Sequence, residues 1–93
     1  MSGTTLRLRA LSGSPLDEPA VREQVVASFR SLAAAAGVRV LAVETTGALL
    51  VVTIEAEAMT ALGILTDLRR QTNVWFEERY KDGPLWGTRA PRS

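Results

Sequence analysis

Residues 38–57, VRVLAVETTGALLVVTIEAE, carry the pattern that decides the fold. They contain two apolar runs rich in β-branched side chains, VRVLAV and ALLVVTI, which meet at Thr46-Gly47. Strand-forming runs separated by a short break that contains glycine are typical of a β-hairpin with a tight turn. The sequence therefore predicts two antiparallel strands here, with the other elements packed against them.

A strand and a helix are predicted before this hairpin. Residues 4–11 alternate, with Leu6 and Leu8 on one side and Arg7 and Arg9 on the other, which is the period of a half-buried strand. In residues 18–36, apolar side chains recur at spacings of three and four, as expected for an amphipathic helix. That stripe consists of Val21, Val25, Phe29, Leu32 and Ala36. Asp17 is the expected N-cap of the helix and Gly37 its C-cap.

A second helix and a fourth strand are predicted after the hairpin. Residues 58–72 repeat apolar side chains with helical spacing, and Asn73 is expected to end the helix. Residues 74–81, VWFEERYK, are rich in aromatic side chains and alternate in polarity, which favours a strand. The last residues contain Gly83, Pro84 and Gly87, which argue against a further regular element.

The predicted order β-α-β-β-α-β defines an α+β, ferredoxin-like sandwich. Its antiparallel sheet has the strand order 4-1-3-2, and both helices lie on one face. Residues 1–82 form a single ferredoxin-like domain in this interpretation, and residues 83–93 form a C-terminal tail or arm.

The hairpin is apolar on both faces, although two helices can cover only one face of a sheet. A monomeric antiparallel sheet with one wet face usually alternates cleanly between apolar and polar side chains. We therefore expect the uncovered face to be an interface, with Trp86 of the arm docked on its own domain or on a neighbouring chain. The predicted interface residues are Val38, Val40, Ala42, Leu49, Val51, Trp75 and Trp86.

Composition makes several activities improbable. The net charge is +1, and the predicted central strands lack the aromatic platforms of an RNA-binding sheet, so neither nucleic acid nor an anionic membrane is an expected partner. With no cysteine and no histidine, the chain lacks the commonest metal ligands, nucleophiles and proton-transfer groups. We expect no catalytic residues, cofactor or metal, and a cytoplasmic location; a cofactor-independent small enzyme is the third-ranked alternative.

One family resemblance gives a second alternative. Residues 32–45, LAAAAGVRVLAVET, followed by residues 48–57, ALLVVTIEAE, resemble the helix-strand-strand part of ACT-type regulatory domains. That resemblance implies binding of a small metabolite, such as an amino acid, at a subunit interface. The first-ranked function is a non-catalytic protein–protein interaction domain, acting as a homo-oligomer or as an accessory or regulatory subunit of a larger assembly.

Overall fold

Three strands and two helices form the chain in this computed structural model, which describes residues 3–11, 13–80 and 85–86. The elements are β1 (Gly3–Arg9), a 3₁₀ turn (Pro15–Asp17), α1 (Pro19–Ala35), β2 (Arg39–Thr46), β3 (Leu49–Glu55) and α2 (Ala58–Tyr80). The strands form an antiparallel sheet in the order β1-β3-β2, so the predicted α+β class is confirmed.

The predicted hairpin is present, with its turn one residue later than expected. Thr46 pairs with Leu49, so the two turn residues are Gly47 and Ala48. Gly47 has a φ of 42°, in the left-handed region that favours glycine. The turn residue was thus recognised from the sequence, but the register was displaced.

A bulge in β2 changes which of its side chains face the core. The pairing shifts between Val40 and Ala42, so that Leu41 is an extra residue on this strand. Val40 pairs with Ile54 and Val43 pairs with Val52, and both partners are fully buried. Because directly paired residues in an antiparallel ladder share a face, Val40 lies on the core side. The prediction that Val40 lies on the uncovered face was wrong.

The core lies between the sheet and the two helices. It is a single cluster to which one face of β1 and β3 and one stripe of each helix contribute. Its strand and helix members are Leu6, Leu8, Leu50, Val52, Ile54, Val21, Val25, Phe29, Ala61, Ile64 and Leu68. Both helices therefore cover the same face of the sheet, and the opposite face is not covered by either of them.

Helix α1 follows the prediction closely. It begins after Glu18, which replaces the predicted Asp17 as N-cap, and Gly37 follows its end with a φ of 72°. The amide of Val38 donates to the carbonyl of Ala33 at 2.9 Å, and the amide of Gly37 donates to the carbonyl of Ala34 at 3.0 Å. This pair of bonds is a Schellman motif, which directs the chain from the helix into β2.

The predicted fourth strand over residues 74–81 was wrong, because α2 continues without a break to Tyr80. Asn73 lies inside this helix and does not end it. Phe76 and Tyr80 are four residues apart, and their ring centroids lie 4.7 Å from each other. Both pack against the core, so the helical spacing of these aromatic side chains prevailed over their preference for strands.

Leu85 and Trp86, the described part of the arm, lie beside β1. Ala10 and Trp86 form an isolated antiparallel bridge, and the amide of Leu11 donates to the carbonyl of Leu85 at 2.9 Å. The amide of Ala10 donates at 2.7 Å to the carbonyl of the turn residue Ala48, on the side of β1 where β3 lies. The arm thus lies on the edge of β1 opposite to β3. The other residues of the predicted arm, 83–84 and 87–93, lie outside the described residues.

Candidate interaction surface

The face of the sheet turned away from the helices is the candidate interaction surface, and we call it the outer face. On β3, Leu49, Val51 and Thr53 alternate with the buried Leu50, Val52 and Ile54 and therefore point outward. Their paired residues on β1 are Arg9, Arg7 and Thr5, and on β2 Thr46, Glu44 and Ala42. Both helices pack on the opposite face of the sheet and contribute nothing to the outer face.

The apolar patch of the outer face consists of Leu41 and Ala42 of β2 and Leu49 and Val51 of β3. Leu41 is 48% exposed although it belongs to the central hairpin. A Cβ on Gly3 would lie 3.8 Å from Cδ1 of Leu41 and 3.9 Å from Cγ2 of Thr53. Leu41 therefore extends across the outer face toward β1.

Charged and hydroxyl side chains surround the apolar patch. Arg39 and Glu55 form an ion pair with 3.7 Å between Nε and Oε1, and the hydroxyls of Thr5 and Thr53 are 3.0 Å apart. Arg7 and Arg9 are exposed on β1, and Glu44 is exposed on β2. Both signs of charge are present, so this rim can orient a partner without favouring a strongly acidic or basic one.

The predicted interface residues separate into two groups. Ala42, Leu49 and Val51 lie on the outer face. Val38 and Val40 are half-buried and pack against the core. The β2 bulge explains the difference for Val40, since one extra residue reverses the alternation on the part of the strand that precedes it.

Trp75 lies on α2 and not on the sheet, because the predicted strand is helical there. It packs partly against the core, with its ring centroid 6.0 Å from that of Tyr80 and 6.5 Å from that of Phe76.

Trp86 is fully buried in its own chain. Its indole Nε1 donates to Thr72 Oγ1 at 2.7 Å, and the Thr72 hydroxyl donates to the carbonyl of Leu68 at 2.6 Å. Asn73 Oδ1 accepts from the amides of Leu85 at 2.8 Å and Trp86 at 2.9 Å. Of the two docking places predicted for Trp86, the structure shows its own domain.

Leu41 lies on the outer face and is not among the interface residues predicted from the sequence. A strictly alternating strand assigns Leu41 to the same side as Val43, which points to the core. The outward position of Leu41 depends on the bulge in β2, and bulges have no reliable signal in a single sequence. An exposed leucine inside the most apolar stretch of the chain can be identified only from the pairing.

The loop before α1 contains the 3₁₀ turn Pro15–Asp17. Here it packs against the hairpin turn, and the amide of Leu16 donates to the carbonyl of Gly47 at 2.8 Å. The Leu16 side chain is buried, and a Cβ on Gly47 would lie 3.3 Å from Oγ of Ser14. This loop fills the space beside the turn with its own atoms.

Two searches of the described residues complete the description of possible sites. No group of three or more acidic side chains is arranged to hold a metal ion in residues 3–11, 13–80 and 85–86. Within the same residues, neither helix combines the length and the apolar character that crossing a membrane requires. Comparison of the sequence with protein-family models and with curated proteins finds no match.

Proposed function

We propose that the chain is a non-catalytic protein–protein interaction domain whose outer face binds another protein chain. The bound chain is either a further copy or the larger component that this domain serves as an accessory or regulatory subunit. The observation that carries this proposal is the apolar patch on a sheet face that neither helix covers.

The arrangement of the outer face supports this function. Protein interfaces have an apolar centre depleted in charge and a polar rim, and arginine is enriched among their residues. Leu41, Leu49 and Val51 provide the apolar part of such a surface, and Arg7, Arg9 and Glu44 border it. Each apolar side chain that a partner removes from water contributes roughly 25 cal/mol per Å² of buried apolar area.

We also infer that the fold is a reduced ferredoxin-like sandwich in which the arm stands in the place of the fourth strand. The bridge between Ala10 and Trp86 supports this inference, since it lies antiparallel to β1 on the edge where that strand belongs. In the strand order 4-1-3-2, the arm would occupy position 4. Leu85 and Trp86, the described residues of the arm, then lie at the edge of the sheet beside β1.

Substitution of Val51 by lysine tests the function. Val51 is half-buried, and it lies on the outer face of β3, where a lysine side chain can extend into solvent in the free chain. Val51→Lys therefore leaves a folded chain whose partner would have to bury an unpaired charge. We expect the tagged variant to lose the stoichiometric protein that co-purifies with the tagged wild-type chain from the source organism. That protein is an untagged copy in the homo-oligomer and a different chain in the accessory subunit.

Thr66→Lys is the matched control, because Thr66 is an exposed residue of α2 away from the outer face. It should retain the same stoichiometric partner. The proposal fails if the wild-type chain recovers no stoichiometric protein, or if Val51→Lys recovers as much of it as Thr66→Lys does. Circular dichroism of both variants confirms that each is folded.

A further inference from the structure

An open groove of about 470 Å³ runs between α1 and β2 at the sheet edge that β2 forms. Val26 and Ala27 of α1 and Val43 of β2 form its apolar part. The other lining residues are Arg22, Glu23, Arg30 and Thr45. This groove lies on the helical side of the sheet and is separate from the outer face.

The exposed side of α1 beside this groove has a symmetric charge pattern. Four residues of α1 share one face, because they follow one another at helical spacings of three, one and three. They are Glu23, Val26, Ala27 and Arg30. The apolar pair in the middle is flanked by an acidic residue on one side and a basic residue on the other. Reversing the helix direction exchanges the two charges and leaves the apolar pair in place.

Glu23 and Arg30 are available for an external partner. The two residues are seven positions apart, about 10 Å along the helix axis, which is too far for an ion pair within α1. Both are exposed, and neither takes part in an ion pair among the described residues. Arg22, the other cation of the groove, is held by a hydrogen bond from Nη1 to the carbonyl of Leu16 at 3.2 Å.

We propose that this groove binds a second copy of the same chain, with the two α1 helices antiparallel. The two-fold axis passes between Val26 and Ala27. Glu23 of each copy then lies opposite Arg30 of the other, and each α1 rests beside the free edge of its neighbour's β2. Isologous contacts of this kind require a self-complementary surface, which the charge pattern supplies.

Small side chains allow the two helices to approach closely. Ala20, Ala27 and Ala34 are spaced by seven residues along α1, and all three are exposed. Packed helices lie about 8–10 Å apart depending on the side chains at the contact, and alanine permits the shorter distances. A longer side chain at Ala27 would separate the apolar centres and the ion pairs together.

This self-association is independent of the function proposed for the outer face. If both are correct, the dimer presents two outer faces, and each can bind a partner. A Val51→Lys variant would then lose the partner and remain dimeric. A variant of the groove would lose the dimer and keep an intact outer face.

Charge exchange at Glu23 and Arg30 tests the proposal. In the antiparallel dimer, Glu23→Arg places two arginines opposite each other and Arg30→Glu places two glutamates opposite each other. We expect each single variant to raise the dimer dissociation constant by about tenfold or more, because like charges face each other twice. Sedimentation velocity over a concentration series measures this constant, and Glu78→Arg, an exposed site on α2, is the control with unchanged association.

Two restorations make the test specific for the antiparallel geometry. The double variant Glu23→Arg/Arg30→Glu should dimerise like the wild type. An equimolar mixture of the two single variants should form heterodimers, because the chain with two arginines then meets the chain with two glutamates. The proposal is overturned by a wild type that is monomeric throughout the series, by single variants that associate normally, or by a failure of either restoration.

Discussion

Thr72 and Trp86 show how a single buried hydroxyl holds the arm on the domain. Thr72 is the buried polar residue of the described core, and it accepts the indole N–H while donating to its own helix. An indole N–H that is buried without an acceptor loses its hydration and gains nothing in exchange. The stability of the arm therefore depends on this hydroxyl as well as on the burial of the indole ring.

Thr72→Val keeps the shape of the side chain and removes the acceptor. We expect a loss of about 1–3 kcal/mol in the free energy of unfolding, measured by urea denaturation. Thr66→Val, on the exposed side of the same helix, should change that free energy by less than about 0.5 kcal/mol. Equal effects of the two substitutions would show that the Trp86–Thr72 bond does not form.

Two glycines should respond in opposite directions to substitution by alanine. Gly47 has a positive φ, and an added Cβ would lie 3.3 Å from Oγ of Ser14, so Gly47→Ala should lower the free energy of unfolding by about 1–2 kcal/mol. Gly63 lies within α2 with nothing within 4 Å of an added Cβ. Gly63→Ala should therefore raise that free energy by about 0.5–1 kcal/mol. Thermal and chemical denaturation of the two variants give the signs directly.

The elements of the chain were predictable where one periodicity was clear. The alternation of β1, the stripe of α1 from Val21 to Leu32 and the central hairpin are present, because each pattern fits only one type of element. Ala36, the last residue of the predicted stripe, is exposed, and Ala33 is buried in its place. Residues 74–80 fit both a strand and a helix. Phe76 and Tyr80 share a face in a strand and also, at a spacing of four, in a helix, so local polarity could not separate the two.

The end of α2 and the bulge of β2 depend on contacts between distant parts of the chain. Asparagine is typical of a helix end, but the Asn73 side chain accepts hydrogen bonds from two amides of the arm and is thereby satisfied inside the helix. The bulge at Leu41 is defined only against β3. Neither contact can be inferred from local sequence, which is why the fourth strand and the position of Val40 were mispredicted.

Asn73→Ala should release the arm and leave α2 helical. Alanine is the better helix former, but the amides of Leu85 and Trp86 lose their acceptor. We expect faster hydrogen exchange at these two amides, with unchanged exchange in residues 61–69. Asn73→Asp retains an oxygen acceptor and should keep both amides protected; exposure of both amides in this variant would contradict the tethering role of Asn73.

At the scale of the whole molecule, an interaction domain and a metabolite sensor respond differently to small ligands. An ACT-like sensor would gain about 2.7 kcal/mol of stability at a hundredfold excess of ligand over its dissociation constant. A domain that only binds another protein chain gains no stability from such a ligand, and we therefore expect no thermal shift with any amino acid. A reproducible stabilisation by one of them would favour the sensor.

Photo-crosslinking at position 7 tests the binding of a protein chain to the outer face most directly. Arg7 pairs with Val51 and borders the apolar patch, so a photoreactive residue there reaches the partner without replacing the centre of the interface. We predict one discrete crosslinked product in cells of the source organism, lost when Val51→Lys is added and absent when the photoreactive residue is at Thr66. No product from position 7, or the same product from both positions, would contradict the assignment of the outer face as an interface.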